Sequence, residues 1–282
     1  MRVHRGLLLL AGGAGEHSGL REGLFPPPRL RRMGSALSDD ERAQVGAMWA
    51  FRARGEHEIA AQYADLARRL RVAGAAPEMV DRVTAASADE ARHRELCAAM
   101  TARLQHAGPT SSTGGLRRIA PHPLEGPARL AYEMVALFCV TESINATLLL
   151  HSWRQATDGP TRETLHALLA DEVEHSRIGW GYLAALPAGR DEIAAGLPRM
   201  LSAATHDEDF LATSPPYLES DALTAHGLLP VAMLREVFLE ALNDVVFPGL
   251  ELCGVATAEA RGWLAACTSR WAPPLGATPA NR

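Results

Sequence analysis

The pattern Asp-Glu-x-x-His occurs twice, as Asp89-Glu90-Ala91-Arg92-His93 and Asp171-Glu172-Val173-Glu174-His175, each inside a stretch with helical periodicity. A Glu and a His three positions apart on a helix lie on one face, one above the other. Each copy therefore offers a carboxylate oxygen and an imidazole nitrogen to one point in space. That is metal-ligand geometry, and a fold that uses both copies has to set two helices facing each other.

The surrounding periodicity supplies those helices. Ser38 followed by Glu41 reads as a capping box. It opens a stripe of Val45, Met48, Trp49, Arg52, Glu56, Ile59, Tyr63, Leu66 and Leu70 that runs to about Gly74. Pro77 suits the first turn of a second helix whose stripe is Val83, Glu90, His93, Cys97, Met100 and Leu104. A Gly-, Pro- and Ser-rich segment from His106 to Pro127 is long enough to cross a bundle from end to end. A third helix carries Leu130, Met134, Phe138, Glu142, Asn145 and Leu149. Asp158-Gly159-Pro160 stops it, and a fourth carries Leu165, Leu168, Glu172, His175, Gly179 and Tyr182.

The order helix, short turn, helix, long crossover, helix, short turn, helix predicts an all-α four-helix bundle with one long crossover. The spacing from Glu56 to Glu90 is 34 residues and from Glu142 to Glu172 is 30, as two similar hairpins give. Residues 1–36, with Pro26-Pro27-Pro28 and clustered Arg, read as a flexible N-terminal extension, 37–187 as the bundle and 188–282 as an appended helical layer. In that layer, helical patterns around Asp191–Ala203, Pro230–Phe247 and Thr257–Trp271 are separated by Ser214-Pro215-Pro216 and by Pro248-Gly249.

Helix phase then selects ligands. Glu56 shares its stripe with Trp49, Arg52, Ile59, Tyr63 and Leu70, whereas Glu58, the fallback, faces Phe51, Arg54, Gln62 and Asp65. Glu142 adjoins the apolar run Leu137-Phe138-Cys139-Val140, where an unpaired carboxylate is costly and a metal supplies the counter-charge. Glu56, Glu90, His93, Glu142, Glu172 and His175 thus form a Glu4His2 set that neutralises two divalent cations. Its oxygen and imidazole donors favour iron or manganese. A metal-bound His normally donates its other ring N–H to a carboxylate. An Asp one step round the helix from the ligand Glu reaches the His of the facing helix, so Asp89 is expected to pair with His175 and Asp171 with His93.

Bulk properties exclude other classes. A formal charge of −5, from 28 Lys and Arg against 33 Asp and Glu, with no basic stripe, argues against nucleic acid. Cys97, Cys139, Cys253 and Cys267 form no Cys-x-x-Cys pair, which excludes a zinc ribbon or rubredoxin knot and suits a reducing, cytoplasmic location. The basic-then-apolar start fades into glycine after Ala11, short of an export signal. No apolar run approaches the roughly 20 residues of a spanning helix, so a soluble protein with no membrane partner is expected.

At the ligand residues the chain resembles the ferritin-like superfamily of carboxylate-bridged diiron proteins, over roughly residues 40–186. It also looks like a bacterial branch with Glu56-His57 on the first helix and His226-Gly227-Leu228 in the tail. The resemblance implies two iron ions, or an iron–manganese pair, reacting with dioxygen or peroxide, and a small organic substrate oxidised beside them, with a homodimer compatible. The alternatives it leaves are iron or peroxide handling without an organic substrate, and a metal-stabilised bundle without catalysis.

Departures narrow it. Cys97 stands where the ribonucleotide reductase small subunit has its radical tyrosine, Leu168 where the arylamine N-oxygenases have an extra His, and Ala146 where the multicomponent monooxygenases have a Thr. Tyr63, Cys97 and Cys139 read first as core residues, Arg52 as balancing site charge or extending to the bundle end, and His226 as a satisfied His outside the bundle.

Overall fold

The computed structural model describes residues 36–105, 119, 121–205 and 218–269, which form helices and connecting turns with no strand among them. Helix α1 spans Asp39–Val72, 34 residues. Its capping box is complete: Ser38 Oγ accepts from Glu41 N–H at 3.3 Å, and Glu41 Oε2 accepts from Ser38 N–H at 2.9 Å. Three acidic residues in its first turn and Arg69 and Arg71 in its last complement the helix dipole. Ser38→Ala is expected to cost about 1 kcal/mol, read as a fall of about 2–4 °C in melting temperature. The cap lies far from Glu56, so metal content should not change.

Helix α2 covers Pro77–Arg103, opened by Pro77, and pairs with α1 along its length. The crossover from His106 falls mostly outside the described residues. The third long segment is one continuous rod made of α3 (Gly126–Met134), a π-helical stretch (Val135–Thr141) and α4 (Glu142–Gln155). Helix α5 spans Gly159–Ala185. Asp158 caps it, accepting from Thr161 N–H at 3.0 Å, and also takes both Arg103 guanidinium nitrogens at 3.1 Å. That pair ties the end of α2 to the start of α5.

Beyond the four long segments come α6 (Arg190–Thr205), α7 (Asp221–Ala225), α8 (Val231–Glu240), a second π-helical stretch (Ala241–Val246), α9 (Phe247–Leu252) and α10 (Ala258–Thr268). Helix α6, α8 and the second π stretch pack on the rod formed by α3 and α4. One side of that rod meets Tyr63, Leu66 and Ile178, and the other meets Leu197, Val237 and Phe238. Every residue from Leu130 to Ile144 is consequently buried.

Two sequence expectations change. The chain does not break at Pro248-Gly249. Pro248 follows directly on the second π-helical stretch, and the helix continues through it to Leu252. Gly249 is required there because a Cβ would fall 2.7 Å from Trp180 Cη2. The last described helix spans Ala258–Thr268, and Trp271, where the sequence pattern ends, lies outside the described residues.

The rod is also longer and more apolar than the sequence reading allowed. An 18-residue window of Gly126–Gln155 reaches a mean hydropathy of 1.5, long and apolar enough to cross a bilayer by length and composition, and 67% of it is buried inside the protein. Being enclosed on both sides explains that composition. The extension over residues 1–36 and the Ser214-Pro215-Pro216 break lie outside the described residues, apart from Ala36.

Candidate metal centre

Glu56 on α1, Glu90 and His93 on α2, Glu142 on α4, and Glu172 and His175 on α5 converge at the centre of the four long segments. All six are buried, with relative exposures of 4% or less. The π-helical stretch ends at Thr141, directly before Glu142, and shifts the register of the rod at the position that delivers this carboxylate. Such insertions are frequent at functional sites.

The donor atoms fall into two overlapping groups, Glu56, Glu90, His93 and Glu172, and Glu90, Glu142, Glu172 and His175. Within each, one atom per residue lies within 4.8 Å of all the others, spacing that could hold a metal ion. Glu90 and Glu172 belong to both. Each group then adds one further carboxylate and one imidazole, so the two Asp-Glu-x-x-His copies play equivalent parts.

Both histidines present the same nitrogen inward. His93 Nδ1 lies 3.2 Å from Glu90 Oε2 and 3.7 Å from Glu172 Oε1. His175 Nδ1 lies 3.1 Å from Glu172 Oε2 and 3.0 Å from Glu90 Oε1. Their outer nitrogens meet the aspartate of the opposite copy, His93 Nε2 with Asp171 at 2.9 Å and His175 Nε2 with Asp89 at 3.4 Å. Holding the proton on Nε2 leaves the Nδ1 lone pair facing the centre.

The helices position other groups that the motif does not reveal. Arg92 donates to Asp89 and Asp171, each at 2.8 Å, and so clamps the two aspartates together from the exposed side. Asn145 Nδ2 donates to Glu172 Oε1 at 2.8 Å, while its Oδ1 accepts from Arg52 at 3.4 Å. The Tyr63 hydroxyl donates to Glu142 Oε1, and its ring stacks on Phe138 at 4.1 Å between centroids. Helical stripe membership places Tyr63, Asn145 and Arg52 near the ligands, but a period cannot show which polar atom each engages.

The electrostatics are those of a cluster short of positive charge. Burial pushes the Glu142 carboxyl far above the usual carboxylate range, and the neighbouring Glu172 pushes it further. Burial opposes charge on Glu172, but its hydrogen bonds to His175 and Glu142 and the charges of both imidazoles together outweigh this and bring it down to about 2. For His93 the desolvation that disfavours imidazolium is outweighed by Asp171 and Glu90, giving about 10. His175 is raised in the same way by Asp89, Glu172 and Glu90. Protons thus supply the compensating charge here, and divalent cations would replace them.

Glu58 is half-buried and belongs to neither donor group. Cys97 is enclosed, its thiol held protonated by burial and by Glu56. His226 lies away from the centre, its Nδ1 3.7 Å from Asp158 at the turn between α4 and α5. A further buried carboxylate, Glu133, joins no metal group: Arg69, Arg129 and His122 surround it. Sequence reading missed this cluster, for which the only signal was a Glu one step from an apolar stripe.

Fold and site together define an all-α bundle whose centre is a buried carboxylate–histidine cluster able to hold metal. No protein-family model matches the chain, and no curated protein matches it.

Proposed function

We propose that the protein is an oxygen-dependent dinuclear iron oxidoreductase of the ferritin-like kind, acting on a small organic substrate. The observation that carries this reading is the sharing of Glu90 and Glu172 between two four-residue donor groups. Four carboxylates and two imidazoles match two divalent cations in charge, and carboxylate common to both groups suits a bridged pair. Connectivity supports the same class, with two helical hairpins each delivering one glutamate and one Glu-x-x-His.

When bound, a pair of ferrous ions supplies electrons to dioxygen. The chain's own residues prepare and confine that chemistry. Asp89 and Asp171 fix the two imidazoles in the tautomer that turns Nδ1 inward, and Arg92 keeps the two aspartates in register. Tyr63 holds its proton on Glu142 Oε1. Phe138, Ile59 and Ile178 form the apolar floor around Tyr63, which keeps bulk water away from the buried carboxylates.

The test is to load the full chain with Fe(II) under anaerobic conditions, measure bound iron, and mix with oxygenated buffer in a stopped-flow instrument. Binding of two irons per chain and a transient visible absorption are expected. A colourless protein that leaves dioxygen unconsumed removes the reading. Repeated turnover of excess Fe(II) with no organic substrate would replace it with iron handling.

A further inference from the structure

A cavity of about 400 Å³ lies between α1, α4 and the segment from Leu218 to Leu234 of the appended layer. Its floor is formed by the buried Thr141, Ile144, Leu148 and Leu223, and its rim by the exposed Ala47 and Leu218. Most of its surface is apolar. Arg52 and Asn145 are the polar exception on the side facing the metal centre.

Arg52 and Asn145 join the two sites. Asn145 lines the cavity and donates to Glu172, so a single side chain separates the cavity from a carboxylate common to both donor groups. Arg52 also lines the cavity. Its one polar side-chain contact among the described residues is Asn145 Oδ1 at 3.4 Å, a long hydrogen bond that leaves most of the guanidinium fork unused. Arg52 is half-buried in this mostly apolar wall, and its planar fork matches a carboxylate in two-point geometry.

The carboxylate on the rim does not fill that need. Glu219 Oε1 accepts instead from Val231 N–H at 3.0 Å, and Gln44 is bound to the Leu218 backbone through both ends of its amide. The volume is that of a small-molecule site, with the usual mixture of apolar wall and few convergent polar groups.

We infer that this cavity binds a small monocarboxylate with an apolar body, its carboxylate on Arg52 beside Asn145 and its hydrocarbon portion against Met48, Ile144, Leu148 and Leu223. Its role as the substrate site rests on the reaction proposed above. Its role as a carboxylate-binding site does not. The placement brings the carbon atoms next to the ligand's carboxylate closest to Glu172, so those positions face the metal centre.

The test uses the full chain stripped of metal and titrated calorimetrically with octanoate, octan-1-ol and octylamine. Saturable one-to-one binding of octanoate is expected, with the alcohol and the amine each weaker by about tenfold or more, as a charge-assisted hydrogen bond gives. Arg52→Met should abolish that preference and Arg52→Lys should restore part of it, both with parental circular dichroism. Ala47→Trp, at an exposed rim position, should block entry and weaken octanoate by a similar factor without touching Arg52.

Equal affinity for octanoate and octanol, or octanoate binding unaffected by both Arg52→Met and Ala47→Trp, overturns the inference. So does an absence of saturable binding. Selective binding by a protein whose ferrous form ignores dioxygen would retain the carboxylate site and discard only the oxidase reading.

Discussion

Replacing Glu142 by Gln is expected to leave the metal-free protein nearly as stable as the parent while removing most of the stabilisation that added Fe(II) confers. Without metal, burial and the neighbouring Glu172 keep the Glu142 carboxyl protonated. A carboxamide has nearly the shape of that neutral acid, can still accept from Tyr63, and adds no buried charge. The metal-free melting temperature should therefore move by no more than about 2 °C, the scale of a substitution that creates no cavity and strands no polar group.

The loaded protein should behave differently. A ligand that binds only the folded state at a thousandfold excess over its Kd stabilises by about 4 kcal/mol, which corresponds to about 10 °C at this chain length. The Gln variant lacks one anionic donor of the Glu90, Glu142, Glu172 and His175 group, so that group should hold its cation far more weakly. Anaerobic thermal melts with and without Fe(II), joined to metal analysis, read both effects. A Gln variant that keeps the full Fe(II)-dependent shift and the parental stoichiometry would show that Glu142 is a core residue and not a ligand.

The second large effect is expected at Gly179, where α5 crosses the π-helical stretch of the rod. A Cβ there would lie 2.6 Å from the Phe138 carbonyl carbon and Cβ and 2.7 Å from the Cys139 nitrogen. Two of these three atoms are main chain, so no side-chain rotation relieves the clash and the helices have to separate. Overpacking of this kind costs about 1–3 kcal/mol and occasionally more, and Gly179→Ala should fall at the upper end.

The cost should extend to the metal centre. Gly179 follows His175 by one helical turn, and Phe138 precedes Glu142 by one turn and stacks on Tyr63. Moving these backbones apart separates the two ligands that the second donor group brings together. Gly179→Ala is thus expected to lower both the melting temperature and iron occupancy, whereas Gly181→Ala, with no atom within 4 Å of its added Cβ, should change neither. Equal behaviour of the two variants would refute the close approach.

The carboxylates and imidazoles gathered at the centre of the bundle were legible because helices obey a fixed period. Glu56 and Glu58 are two positions apart, which on a helix is more than half a turn, so the apolar stripe alone separated the one the structure brings to the centre from the one it leaves half-buried. The same rule, applied between facing helices, led to Asp89 beside His175 and Asp171 beside His93. Periodicity was blind to the π-helical stretch of the rod because an added residue per turn leaves no mark in an uninterrupted apolar run, and Val135–Thr141 is apolar throughout except at its last position. It was blind to Glu133 for a related reason: a carboxylate one step from the stripe reads as surface until another layer covers it.

The sequence by itself determined the helices, their order, and a set of carboxylates and imidazoles too apolar in its surroundings to be solvated charge. Those properties follow from local spacing and composition, which short-range sterics translate directly into structure. Only the tertiary structure decided that Glu90 and Glu172 serve both donor groups, that the appended layer encloses the rod on its second side, and that Arg52 and Asn145 open toward a cavity. These depend on distances between segments far apart in the chain, set by the packing of whole helix faces, and no local pattern encodes them.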